Sequence, residues 1–196
     1  MVGYDLLYCN RENRLYFNFE GDIVIIQQDT REQTNKHKSV LEYFDKNNIK
    51  VVRSKLYVGD YTRLDKQDIC VDTKKDMQEL YSNIIQSNTR FKNECVRAKD
   101  AGIQLVILVA DENIQDISQV ILWHNKRLDQ WEYINKAHQR GKMLYRKISK
   151  RPPVSSEQLQ RAMQTMSGRY GVQFKFCKKN DMGKCIVEIL AGDIIG

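Results

Sequence analysis

The sequence predicts an α/β domain built on a mixed sheet with helices on both faces. Three observations predict it. Ile23-Val24-Ile25-Ile26 and Leu105 to Ala110 are short, continuous apolar runs of the kind that form strands buried on both sides. Stretches with apolar residues at helical spacing separate the strand-like stretches. Up to residue 110 the order reads strand, helix, strand, strand, helix, strand, which calls for crossovers over the sheet.

Taken in order, residues 4–9 and 14–19 read as two short strands joined by Asn10-Arg11-Glu12-Asn13, an N-terminal hairpin extension occupying residues 1–20. The strand at Ile23–Ile26 follows Gly21-Asp22. Residues 37–47 form a helix with Val40, Leu41 and Phe44 on its apolar face, ended by Asn47-Asn48. Lys50–Val58 is a strand leading into the Gly59 turn, and Asp68–Thr73 is the next. Residues 76–86 carry Met77, Leu80, Ile84 and Ile85 on one side of a helix, with Asp76 as its N-cap. Residues 90–101 form another, stopped by Gly102. Residues 112–152 break the rhythm and read as one or two inserted helices whose end is strongly basic. Ser155 or Ser156 then caps a helix with Glu157 in its first turn. Val172–Cys177 alternates as a strand, and from Asp181 the spacing is helical again. The main domain spans residues 21–196.

Composition narrows the function. The chain has 196 residues, 41% of them hydrophobic, so it can bury a core. A net charge of +7 points to a polyanionic partner. No apolar run is long enough to span a membrane. The start, Met1-Val2-Gly3-Tyr4-Asp5, lacks the pattern of a signal peptide, and five scattered cysteines without a Cys-x-x-Cys suit reduced thiols. The expectation is a cytoplasmic protein in which most cysteines serve packing.

The chemistry concentrates in Val58-Gly59-Asp60-Tyr61 and Ile69-Cys70-Val71-Asp72-Thr73-Lys74. In a strand, Asp72 and Lys74 share one face and Thr73 takes the other. Two acids and an ammonium converging at one point repel or shift one another unless a cation intervenes. A hard divalent ion between carboxylates and a phosphate removes that cost. A lysine beside it orients a water or offsets phosphate charge, which completes a minimal kit for phosphodiester hydrolysis.

Around this pair the sequence resembles the nuclease domain of the XPF-type structure-specific endonucleases, a branch of the PD-(D/E)xK nuclease superfamily. Asp29-Thr30-Arg31-Glu32 resembles that family's opening Asp-x-Arg-Glu motif, Gly59-Asp60-Tyr61 its Gly-Asp-Tyr, and Val71-Asp72-Thr73-Lys74 its Val-Glu-Arg-Lys. Arg90-Phe91-Lys92 is similar to a Phe in a basic context at the start of a later helix. The resemblance covers residues 22–111 and resumes over 155–192. It implies a restriction-endonuclease-like fold, Mg²⁺ or Mn²⁺, and cleavage of DNA near junctions of single and double strands. By position it makes Asp60, Asp72 and the Thr73 backbone carbonyl metal ligands, with Asp29 another carboxylate reaching the metal directly or through water. Lys74 would position or activate water, while Arg31 and Glu32 would support the site or hold phosphate. This chain departs in three places: Asp72 replaces Glu, Thr73 replaces Arg, and Gln78 stands where the family has an acid, with Glu79 one position later. The tandem helix-hairpin-helix module of eukaryotic relatives has no counterpart after residue 111, which implies a stand-alone form, bacterial or phage-like.

Lys136 to Arg151 holds Lys136, Arg140, Lys142, Arg146, Lys147, Lys150 and Arg151 without an acid. With Arg90, Lys92 and Arg97 these are the candidate DNA-phosphate contacts. Tyr133 and Tyr145 are candidates for base stacking. The reading is a metal-dependent DNA endonuclease acting on branched or partly single-stranded DNA, with a homodimer or protein partner open. The competing readings are a non-catalytic DNA-binding module of the same fold and a homodimeric junction-resolvase or restriction-like nuclease.

Overall fold

The computed structural model describes residues 25–31, 38–86, 88–140 and 151–192. The expected N-terminal hairpin, Glu32, and Lys142, Arg146, Lys147 and Lys150 lie outside the described residues.

The strands are β1 (Ile25–Asp29), β2 (Lys50–Ser54), β3 (Tyr61–Arg63), β4 (Ile69–Lys74), β5 (Gln104–Ala110) and β6 (Gln173–Cys177). They form one sheet in the order β2-β1-β3-β4-β5-β6. β3 runs antiparallel to both β1 and β4, and the other pairs are parallel. The mixed sheet with flanking helices therefore stands as expected. Of the strand expected at Ile23–Ile26, Ile23 and Val24 lie outside the described residues, and β1 runs from Ile25 on through Gln27-Gln28-Asp29, whose polar side chains find partners. Gln28 donates to Tyr61 Oη at 3.2 Å, and Gln27 bonds Ser54 and Gln67.

The strand expected to run to Val58 stops at Ser54. After a bend through Gly59 the chain returns as β3, a three-residue strand that periodicity does not reveal because it is too short to alternate. Gly59 has φ +71°, and a Cβ there would lie 3.1 Å from the Val71 carbonyl oxygen and 3.2 Å from Cys70 Cβ. Both the left-handed backbone and the close approach require glycine.

The helices are α1 (Lys38–Lys46), α2 (Met77–Tyr81), α3 (Asn88–Asp100), α4 (Lys126–Gln139), α5 (Ser156–Tyr170) and α6 (Met182–Ala191). On one face α2, α3 and α5 bury Met77, Leu80, Phe91, Cys95, Leu159 and Met163 against Leu105, Ile107 and Val109. On the other, α1 and α6 bury Val40, Phe44, Ile186 and Leu190 against Val106, Leu108 and Ala110. β5 thus feeds both cores by alternation. The single helix expected over 76–86 is α2 followed by a π-helical turn at Ser82–Gln86. Asp76 caps it by accepting from the Glu79 amide at 2.7 Å. Ser155 caps α5 in a capping box with Gln158, and Gly171 ends it at φ +71°.

Between β5 and α5 lie a 3₁₀ stretch (Ile117–Leu122) and α4, which buries no residue fully. Its base is nevertheless fixed. Asn125, 3% exposed, accepts from the Arg127 amide and donates to the Val154 carbonyl at 2.8 Å. Tyr81 Oη accepts from the Val154 amide, and its ring meets Trp123 and the Arg127 guanidinium. The chain leaves and re-enters the body beside α2, the helix that follows β4.

Candidate functional site

The ends of β1, β3 and β4 bring Asp29, Arg31, Asp60, Asp72, Thr73 and Lys74 into one neighbourhood. The β3–β4 ladder pairs Tyr61 with Val71, and the Asp60 amide donates to the Val71 carbonyl at 2.8 Å. Asp60 is thereby set beside Asp72. Asp60 Oδ2 accepts from both the Thr73 amide, at 2.8 Å, and the Thr73 hydroxyl, at 2.7 Å. These bonds fix the Asp60 carboxylate against β4. The Thr73 amide points toward Asp60, and in an extended strand a residue's N–H and C=O point to the same side. The Thr73 carbonyl therefore faces the side of the strand on which Asp60 sits.

Asp72 and Lys74 are both buried, 5% and 6% exposed. Lys74 Nζ donates to both Asp72 oxygens, at 2.7 and 2.5 Å, and lies 5.8 Å from the centre of the Phe91 ring. Burial alone would push the Lys74 ammonium toward neutrality. Asp72 and Asp60 outweigh it, with Glu79 adding, and the net shift is upward from the ordinary lysine value. Lys74 is held as a cation.

Asp29, 2% exposed, is also fully engaged. It accepts from the Arg31 amide at 2.7 Å, from Arg31 Nε and Nη2, and from the Leu56 amide at 3.2 Å. Burial works to raise its pKa, but the Arg31 side chain, the two amides and the Arg31 charge hold it below the ordinary value. The Asp29 amide donates to the Asp60 carbonyl at 2.8 Å, so β1 and the Asp60 turn are joined directly. Arg31 Nη2 also reaches the Leu56 carbonyl at 3.1 Å. The 29–31 motif thus ties down the loop that ends at Asp60.

Glu94 on α3 escapes the sequence reading. Its Oε1 accepts from the Gly59 amide at 3.0 Å, and its charge is felt by Arg31 and by the Cys95 thiol. The signal was an acid set between Phe91, Cys95 and Ala98 on the face of α3 that turns to the sheet. Glu79 accepts from the Lys75 amide at 2.8 Å, and Gln78 keeps a buried amide nitrogen without a hydrogen-bond partner. Arg90 and Lys92 are exposed and Arg97 is half-buried. Arg151 is exposed.

Among the described residues no group of three or more His, Cys, Asp and Glu side chains is gathered as for a metal. The oxygen donors that stand at the β3–β4 junction are Asp60, Asp72 and the Thr73 carbonyl. That chemistry fits Mg²⁺ or Mn²⁺, since Mg²⁺ usually keeps several waters and takes one or two carboxylates. Both Asp72 oxygens face an ammonium, so an ion there would share that carboxylate with Lys74. No helix among the described residues is long and apolar enough to cross a membrane.

Comparison with known proteins places this architecture. The chain is similar to XPF from Aeropyrum pernix in complex with DNA, at 15% identity and a TM-score of 0.53 over 87% of this chain and 64% of that one. It is similar also to XPF from Aeropyrum pernix in a second structure, at 16% identity and a TM-score of 0.54 over 87% and 65%. It spans about two thirds of the length of those chains. At such identity the likeness carries the fold. No curated protein sequence matches the chain. The model of the ERCC4 domain matches residues 28–189, running from β1 through the Gly59 turn and β4 to α6. That match covers most of the chain, including the β3–β4 junction with Asp60 and Asp72, and the chain belongs to the ERCC4 domain family.

Proposed function

We propose that this chain is a divalent-metal-dependent DNA endonuclease that cuts at branched or partly single-stranded DNA. The observation that carries the reading is the union of Asp60, Asp72 and Lys74 at the β3–β4 junction, each fixed by hydrogen bonds to its neighbour. Asp60, Asp72 and the Thr73 carbonyl would hold Mg²⁺ or Mn²⁺. When bound, the ion supplies Lewis-acid charge and eases ionisation of water. Lys74, kept as an ammonium, orients the attacking water or offsets charge on the phosphate. Asp29 and Arg31 hold the Asp60 loop, and Arg31, whose side chain is half exposed, also faces a phosphate. Membership of the ERCC4 domain family and a fold shared with a relative solved in complex with DNA support the partner. So does the net charge of +7. The same reading assigns the basic residues of the 112–152 insertion to DNA and places the protein inside the cell.

The test is cleavage of labelled forks, flaps and plain duplex with Mg²⁺ or Mn²⁺. Asp72→Ala and Lys74→Ala should each abolish cutting while leaving DNA binding nearly intact. Folded variants that still cut at the normal rate would overturn the site assignment. The bidentate grip of Lys74 on Asp72 favours a second reading, a DNA-binding module without catalysis. Binding without cutting on every substrate would establish it.

A further inference from the structure

The loop that delivers Asp60 carries an unexplained pattern of exposure. From Arg53 to Val58 the side chains alternate. Arg53, Lys55 and Tyr57 face solvent, while Leu56 and Val58 are 6% and 0% exposed and Ser54 is half-buried. Tyr57 is 61% exposed, although a tyrosine three residues from a central carboxylate has an apolar core close at hand. The backbone beneath it is held from both sides. The Leu56 amide donates to Asp29, its carbonyl accepts from Arg31, and the Gly59 amide donates to Glu94. Tyr57 is therefore an outward ring on a loop fixed by the site's own acids, with two cations preceding it at alternate positions.

That combination is the chemistry of single-strand recognition. Cations spaced along an extended segment follow a phosphate backbone, and an exposed ring stacks on a base freed from its pair. A paired base offers no face to such a ring. We propose that Arg53, Lys55 and Tyr57 form a subsite for an unpaired nucleotide next to the scissile phosphate, with Tyr57 stacking on its base. The subsite rests on the nuclease reading and deepens it: it makes unpaired DNA beside the cut the feature recognised.

The test measures binding of the full chain to a labelled single-stranded oligothymidylate and to a hairpin duplex, by fluorescence anisotropy in EDTA. Tyr57→Ala should weaken single-strand binding about tenfold, within the range found for removal of one base–aromatic stack, and leave duplex binding unchanged. Tyr57→Phe, which keeps the ring, should retain single-strand binding. Lys55→Ala should instead lower the salt slope on the single strand by about 0.7, as expected for one phosphate. Unaltered single-strand affinity in Tyr57→Ala, or an equal loss on both probes, would overturn the subsite alone. Failure of the unaltered protein to bind either DNA would overturn the nuclease reading as well.

Discussion

Asp29 shows how a buried acid is kept charged. The N–H groups of Arg31 and Leu56 offset the cost of burial and hold the carboxyl below its ordinary value of 3.8. A carboxyl with a depressed folded value adds stability above its ordinary value, and that stability is lost as pH falls through the folded one. Asp29→Asn should thus cost about 2 kcal/mol at neutral pH, the scale of hydrogen bonds to a charged group. The difference from the native protein should shrink as pH drops below 3.8. Urea unfolding at pH 7 and pH 3 checks it, and a difference that does not change with pH would refute it. The thiols give a second residue-scale expectation. Cys95 is pushed up to about 12 by burial first and then by Glu94 and Asp72. Cys70 is raised mainly by burial, and Cys177 by its hydrogen bond with Cys185 and by burial. Cys185 is half-buried and shifted downward by that same bond. In a Cys9→Ser variant at pH 8, one thiol should react quickly with a disulfide reagent, and peptide mapping should find it at Cys185.

Helix packing depends on single positions in the same way. α1 and α6 close over the sheet where Gly183 meets Tyr43, and a Cβ at 183 would come within 2.7 Å of Tyr43 Cβ. That atom is next to the backbone and has no rotamer by which to withdraw. Gly183→Ala should cost about 1–3 kcal/mol through overpacking. At Gly168 in α5, an added methyl would meet nothing within 4 Å. Gly168→Ala should stabilise by about 0.5–1 kcal/mol through the unfolded chain's lost freedom. Thermal unfolding of the two variants should shift in opposite directions. α4 illustrates a helix held at its N-terminal base. With no fully buried residue, it depends on Asn125, Tyr81 and Val154 at its base. The pattern of its sequence announces a helix, while that three-way clamp joins positions as far as 73 residues apart and leaves no periodic trace.

For the molecule as a whole, charge is the property that reaches a partner before any contact does. The net +7 equals the seven cations between Lys136 and Arg151. Neutralising Arg146, Lys147, Lys150 and Arg151 together should weaken DNA binding and flatten its dependence on salt. The slope should fall by about 0.9 for each duplex phosphate that no longer meets a cation. Binding titrations from low to moderate salt measure it, and an unchanged slope would return the segment to ordinary surface.

Alternation and helical spacing made most elements legible, because they report which side of an element is dry. They marked β4 and β5, and α1, α3, α5 and α6 to within about two residues at most ends. They also put Asp72 and Lys74 on one face of a strand. β3 was hidden, since three residues cannot show a period, and β1 ran past its apolar run because Gln27 and Gln28 gain partners from distant segments and Asp29 is held by both Arg31 and the distant Leu56 amide. The same holds at the site. The sequence by itself determined which acids and which lysine stand on strands and turns of the right kind, because local chemistry decides that. Only the tertiary structure decided that Asp60 leans on Thr73 and that Glu94 reaches Gly59. Those interactions depend on where the sheet order sets the strands and α3 beside one another, which no local pattern in the chain records.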